Sequence, residues 1–126
     1  NFLPAVVCQI CFLASFSEFC YHPLPAGDAV DSENLVDVFL VKKDRGRSVL
    51  VEQGGALAIV KDEWKYISTS DRIAFDKLTG IETGNSPMPQ LYNLKKDIGE
   101  KNNLASQYPD KVKEMAALLD EVKNKK

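Results

Sequence analysis

The sequence has a single histidine, His22, which lies in a proline-rich segment. A serine nucleophile usually needs a histidine base that a carboxylate holds in place, and the Gly-x-Ser-x-Gly turn of one large class of hydrolases is missing as well. No P-loop, dinucleotide fingerprint or EF-hand calcium loop is present either. We therefore predict no catalytic residue and no metal ligand in this chain.

Cysteine is also scarce, with only Cys8, Cys11 and Cys20 in the chain. An odd number excludes a complete internal disulfide framework, so at least one thiol stays free or pairs outside the chain. The Cys8-Gln9-Ile10-Cys11 spacing occurs in redox and zinc sites, but zinc needs about four ligands and no second pair is present. We favour buried structural cysteines, because free cysteine behaves as a small hydrophobic residue.

Neither sign of charge dominates, because 16 Lys and Arg residues face 18 Asp and Glu residues, for a net charge of -2. Binding to nucleic acid or to an anionic membrane usually needs a basic excess, so we expect neither as a partner. With 126 residues, 44% of them hydrophobic, the chain is near the common size of one domain. We expect one compact unit.

Charge is absent from residues 2–16, which form an almost continuous apolar run. A signal peptide would need an initiating Met and a basic first segment, and a membrane span needs about 18 apolar residues. The interpretation we favour is a buried helix with Asn1 as its N-cap and Pro4 in its first turn. A signal or anchor segment on a small exported protein remains as an alternative.

Short apolar runs that alternate with polar residues predict a sheet in the middle of the chain. Gly54-Gly55 is expected to form a tight turn with positive φ angles, and Arg72 to Phe75 is a possible extra strand. A helical turn capped by Asp31 is expected to precede the sheet. The strands of this sheet are expected over residues 49–53, 56–60, 64–67 and 90–94.

A final helix is predicted from Pro109 onward, because apolar residues recur there with helical spacing and leave the charged residues on the opposite face. That stripe consists of Val112, Met115, Ala116, Leu119 and Val122. The predicted fold is therefore α+β, a small antiparallel sheet of about four strands packed against a C-terminal helix, with an N-terminal apolar helix.

Trp64 and Tyr66 share one face of a predicted strand, since successive side chains point to opposite sides. Exposed aromatic residues at this period could stack on sugars or bases. A sheet that is covered by a helix needs large apolar side chains on its covered face, so we favour core packing.

The order of these elements resembles the end of a sulfatase of the arylsulfatase type. The resemblance covers residues 48–122 well and residues 1–40 more loosely. It rests on Lys61-Asp62-Glu63-Trp64-Lys65-Tyr66-Ile67, on Leu91-Tyr92-Asn93-Leu94, and on the spacing of Asp97, Glu100, Asn103 and Leu104.

The resemblance implies a parent enzyme that hydrolyses sulfate esters. In that family a formylglycine, made from the Cys or Ser of a Cys/Ser-x-Pro-x-Arg motif, attacks the sulfate beside a calcium ion. No cysteine or serine of this chain begins such a motif. The resemblance thus implies that calcium and formylglycine belong to the parent, with no cofactor in this chain, and that this chain alone is inactive.

Two segments follow from the resemblance: residues 1–47 would match the end of the catalytic domain and residues 48–126 the C-terminal subdomain. Loops of this subdomain can approach the substrate in the family, so Glu52 and Gln53 are the candidate substrate contacts. The alternative, which we favour from the residues alone, is that they form an ordinary strand end. The implied partners are the catalytic domain and a sulfated ester or glycan. The family suggests a periplasmic, secreted or lysosomal location.

A competing hypothesis from a different class is a free-standing, non-catalytic interaction module. Its apolar N-terminal helix would bury itself against a second copy of the chain, because large exposed apolar patches favour association.

Overall fold

The computed structural model describes residues 5–125, and the chain divides into two compact units, Asn1–Leu50 and Val51–Lys126. The single unit expected from the length is therefore wrong. The first unit has a small core of its own, formed by Cys11, Leu35 and Val38. The assignment of residues 1–47 and 48–126 to two parts of a larger enzyme stays a prediction.

The described elements are three helices and six strands. In chain order they are α1 (Cys11–Phe19), α2 (Val36–Phe39), β1 (Val49–Gln53), β2 (Leu57–Lys61), β3 (Trp64–Ile67), β4 (Phe75–Asp76), β5 (Ile81–Glu82), β6 (Gln90–Asn93) and α3 (Pro109–Asn124).

Helix α1 begins later than the sequence predicts. Residues 5–8 are not helical, and the carbonyl of Val6 accepts a hydrogen bond from the Arg47 N–H at 2.8 Å. That carbonyl is therefore paired with another segment instead of with a helical turn. The proposed cap at Asn1 and the first-turn role of Pro4 lie outside the described residues.

The prediction of a buried N-terminal helix is wrong for the described part of the chain. Of α1, only Cys11 and Ser15 are buried, while Phe16 is 60% exposed and three other large apolar side chains are also exposed. The prediction that the cysteines are buried holds for Cys11, whereas Cys8 is half-buried and Cys20 is exposed. No helix within residues 5–125 has the length and apolar character to cross a membrane.

The helical turn expected before the sheet is the four-residue helix α2. Asn34, instead of the predicted Asp31, accepts a hydrogen bond from the first helical residue, with Val36 N–H to Asn34 Oδ1 at 3.0 Å. The Ser15 hydroxyl accepts the Leu35 N–H at 2.8 Å and donates to the Cys11 carbonyl at 2.7 Å, so it links α1 to the start of α2.

The main sheet has four strands in the order β1-β2-β3-β6, and α3 packs on β2 and β3. The register pairs Lys61 with Trp64 across the β2–β3 turn, and Lys65 with Tyr92 between β3 and β6. The α+β prediction is confirmed. Large fully buried side chains of this core are Ile59, Leu91 and Met115, and Leu119 of the predicted helical stripe is also buried.

The aromatic residues of β3 pack as expected. Tyr66 is buried, and half-buried Trp64 contacts the ring of Tyr108 with centroids 5.4 Å apart. The possible strand that ends at Phe75 is reduced to β4, which pairs with β5 in a separate two-stranded sheet.

The turn between β1 and β2 needs a glycine for steric reasons and not for its backbone torsion angles. Neither Gly54 nor Gly55 lies in the left-handed region, so the predicted positive φ angles are wrong. A Cβ at Gly55 would lie 2.5 Å from the side chain of buried Asn85, whereas a Cβ at Gly54 would meet nothing within 4 Å. Asn85 is itself held, because its Nδ2 donates to Thr83 Oγ1 at 2.9 Å.

We expect Gly55→Ala to lower the free energy of unfolding by about 1–3 kcal/mol, because Asn85 has no room to move away. The matched variant Gly54→Ala is expected to change it by less than about 0.5 kcal/mol. Urea titration followed by tryptophan fluorescence measures both. Equal effects of the two variants would contradict the steric explanation.

Candidate functional site

A lysine of the sheet is held between two glutamates. Lys65 Nζ lies 2.9 Å from Glu100 Oε1 and 3.2 Å from Glu52 Oε2. The Lys65 side chain is only 16% exposed. This group, Glu52–Lys65–Glu100, is called the Lys65 cluster below.

The strand alternation explains how Lys65 reaches the cluster. Tyr66 points to the face of the sheet that α3 covers, so Lys65 points to the opposite face. Glu52 lies near the end of β1, and β2 runs between β1 and β3. The long side chain of Lys65 thus connects the edge strand to the centre of the sheet.

A tight turn after β6 supplies the third member of the cluster. Glu100 adopts a left-handed conformation with φ of 52°. The carboxylate of Asp97 accepts the N–H groups of Lys101 at 2.9 Å and Asn102 at 2.7 Å, which closes the turn around Glu100.

Asn103 then ties the turn to the sheet. Its Oδ1 accepts the N–H of Leu91 at 3.1 Å and that of Ala105 at 2.9 Å, and its Nδ2 donates to the Pro89 carbonyl at 3.2 Å. Through the Ala105 N–H, the Asn103 side chain caps the turn that follows it. Asp97 thus closes the turn, and Asn103 attaches it to β6.

Electrostatics favour the charged form of this lysine. Burial lowers the pKa of Lys65, but the hydrogen bond to Glu100 and the charges of Glu100 and Glu52 outweigh it, so the pKa is raised. A nucleophilic or general-base lysine needs a lowered pKa instead. Lys65 is thus suited to a structural ion pair and not to proton transfer.

Neighbouring groups titrate in the directions that their surroundings dictate. Burial and then the charge of Glu100 raise the pKa of Tyr92, whose hydroxyl donates to Gln90 Oε1 at 2.8 Å. Hydrogen bonds from the Asn102 and Lys101 N–H groups lower the pKa of Asp97.

The two residues predicted as substrate contacts, Glu52 and Gln53, are both exposed at the end of β1. Glu52 belongs to the Lys65 cluster, whereas the side chain of Gln53 has no hydrogen-bond partner within residues 5–125. Sequence reasoning missed the roles of Lys65 and Glu100. A charged residue between two aromatic residues on a central strand was the available signal.

Two shallow clefts of about 300 and 320 Å³ lie elsewhere, and neither is lined by Glu52 or Gln53. Within residues 5–125, no group of three or more His, Cys, Asp or Glu side chains could hold a metal ion.

We expect Lys65→Met to lower the free energy of unfolding at neutral pH by about 1–2 kcal/mol, because two carboxylates lose their shared partner while the apolar stem is kept. The raised pKa means that this contribution is present below the unfolded pKa of lysine and is lost as the pH rises through the folded value. From its value at neutral pH, the difference from the unchanged chain should therefore shrink as the pH rises above about 10.

Lys113→Met is the matched control, since the Lys113 side chain is 81% exposed and its ion pair with Asp110 spans 3.7 Å. It should change stability by less than about 0.5 kcal/mol. Urea titrations at a series of pH values measure both variants. A loss of stability in Lys65→Met no larger than in Lys113→Met would contradict a stabilising role for the Lys65 cluster.

Comparisons with known proteins identify relatives of this chain. No family model matches the chain. It is 42% identical over 123 residues to an N-acetylgalactosamine-6-O-sulfatase of Bacteroides thetaiotaomicron, covering 96% of this chain and 24% of that protein. It is also 42% identical over 57 residues to arylsulfatase K of Danio rerio, covering 45% of this chain and 9% of that protein.

A solved structure gives the same result. It is described with the metabolism of multiple glycosaminoglycans by Bacteroides thetaiotaomicron, and it matches with a TM-score of 0.83 at 42% identity, covering 92% of this chain and 25% of that one. The chain spans about a quarter of the length of this structure and of the Bacteroides relative. The predicted resemblance is confirmed, and the chain is a homologue of the sulfatases that corresponds to a C-terminal segment of them.

Proposed function

We propose that this chain serves as the C-terminal subdomain of a sulfatase, completing the fold of the enzyme without supplying its nucleophile. The observation that carries the proposal is the identity of 42% over 123 residues, which cover only 24% of the relative. The Lys65 cluster supports a structural role, because its side chains form ion pairs with one another.

The chemistry would come from the rest of the enzyme. This chain contains no Cys/Ser-x-Pro-x-Arg sequence, so the formylglycine and the calcium ion of the family would be held by the catalytic domain. The relative named N-acetylgalactosamine-6-O-sulfatase suggests a sulfate ester on an amino sugar as the substrate. Within this chain, Glu52 and Gln53 are our proposed substrate contacts.

The apolar face of α1 is the proposed contact surface for the remaining part of the catalytic domain. Phe12, Leu13, Phe16 and Phe19 are all exposed on this helix. The rings of Phe12 and Phe16 lie 5.7 Å apart and are stacked, which gives a continuous apolar surface. Since the chain spans about a quarter of its relatives, the remaining part of a sulfatase is the occupant we propose.

A chimera tests the proposal. In the Bacteroides N-acetylgalactosamine-6-O-sulfatase, the matched segment is replaced by this chain, and turnover of 6-O-sulfated N-acetylgalactosamine is measured. Because the chain supplies fold and not chemistry, we expect kcat/KM within about tenfold of the unchanged enzyme.

Two controls frame this measurement: the same enzyme truncated before the matched segment, and this chain alone. Both should be inactive. Turnover by the isolated chain would overturn the non-catalytic assignment, and a folded but inactive chimera would overturn the subdomain assignment.

The same chimera tests the substrate contacts. Loss of one hydrogen bond to the sugar, by Gln53→Ala or Glu52→Ala, should raise KM by about fivefold and leave kcat nearly unchanged. Gln53→Ala is the cleaner variant, because Glu52 also pairs with Lys65 at 3.2 Å. The control is Glu121→Ala on the exposed face of α3. An unchanged KM for both variants would remove these residues from the site.

A second candidate function is self-association through the same apolar face of α1. The exposure of Phe16 and its neighbours favours it, since an apolar face without its covering domain associates readily. We expect the isolated chain to sediment as a dimer or larger species, and Phe16→Glu to sediment as a monomer. A monomeric unchanged chain at high concentration would exclude this function.

A further inference from the structure

Cys8 and Cys11 lie together at the start of α1 in a way that the proposed function does not use. Their Sγ atoms are 3.1 Å apart, and both thiols are free. Cys8 is half-buried and Cys11 is fully buried. From this geometry we infer that Cys8 and Cys11 form a reversible dithiol–disulfide site, which exchanges with a small-molecule disulfide such as oxidised glutathione.

The backbone holds the two thiols in position before any bond forms. The Cys11 N–H donates to the Cys8 carbonyl at 3.0 Å, and the Phe12 N–H donates to the Gln9 carbonyl at 3.1 Å. These two bonds close a turn over residues 8–11, which puts both sulfurs on the same side. Because this turn already brings the two sulfurs to 3.1 Å, a disulfide needs only their closer approach.

A guanidinium contacts both sulfurs. Arg47 Nη1 lies 3.3 Å from Cys11 Sγ and 3.5 Å from Cys8 Sγ. The same side chain pairs with Glu33 Oε1 at 3.1 Å and donates to the Asp31 carbonyl at 2.9 Å. A cation beside a cysteine pair favours thiolate, which is the reactive form in disulfide exchange.

The two thiols differ in reactivity and access. Burial raises the pKa of Cys11, but hydrogen bonds from Cys8 and Arg47 outweigh it, so its pKa is lowered. Burial and then the hydrogen bond with Cys11 raise the pKa of Cys8. Cys8 is the more accessible sulfur, and Cys11 is the one prepared to attack it.

The exchange is balanced in two steps. Cys8, after losing its proton, attacks one sulfur of oxidised glutathione, forming a mixed disulfide and releasing one glutathione thiolate, which takes up a proton. The Cys11 thiolate then attacks Cys8 Sγ and releases the second glutathione as thiol. The two cysteines are oxidised, and one glutathione disulfide is reduced to two thiols.

The test is equilibration of the 126-residue chain with graded ratios of reduced and oxidised glutathione, followed by acid quench, unfolding, alkylation with iodoacetamide and intact mass. The reduced chain should take up three alkyl groups, one for each cysteine. The oxidised chain should take up one and should lack two hydrogen atoms. The equilibrium constant should be at least about tenfold larger for the native chain than in guanidinium chloride, if the turn and Arg47 prepare the pair.

Serine variants assign the bridge. Trypsin cannot separate the three cysteines, because the first Lys or Arg of the chain is Lys42. The variants are therefore needed to show which two cysteines form the disulfide. Cys20→Ser should keep the bridge with an unchanged constant, whereas Cys8→Ser and Cys11→Ser should each lose it. Equal constants in native and denatured chains, or loss of the bridge in Cys20→Ser, would overturn the inference.

Discussion

The ion pairs of Lys65 are the constraint on which the order of the second unit depends. The half-buried Lys65 ammonium joins the edge strand β1, through Glu52, to the turn after β6, through Glu100. A buried charge without partners is costly, so the sheet is most stable when both carboxylates are in place. The lysine therefore specifies where two distant segments of the chain must lie.

The same cluster explains what some of the residues that resemble the end of a sulfatase do in the structure. Lys65 belongs to the first of the three matching sets of residues and Glu100 to the third, and Lys65 Nζ lies 2.9 Å from Glu100 Oε1. Asp97 and Asn103 hold the turn that presents Glu100. The residues that carry the resemblance therefore have structural roles in hydrogen bonding and packing. This explains why they occur in a segment that has no nucleophile.

The first unit is organised around a different cation. Arg47 forms an ion pair with the Glu33 carboxylate and donates hydrogen bonds to the Asp31 carbonyl and to the sulfurs of Cys8 and Cys11. Its neighbour α1 leaves an apolar face uncovered, with Phe16 60% exposed. A helix of this kind is stable when another surface covers it, which agrees with a segment that corresponds to a quarter of larger relatives.

The sequence by itself determined the α+β class, the β2–β3 hairpin and the stripe of α3, because local periodicity and turn residues specify them. It failed at the start of α1, where Val6 pairs with Arg47, and at Gly55, where the reason for glycine is the side chain of Asn85. The ion pairs of the Lys65 cluster were also not predicted from the sequence. Only tertiary structure decides such features, since they depend on which residues, 30 or more positions apart, come into contact.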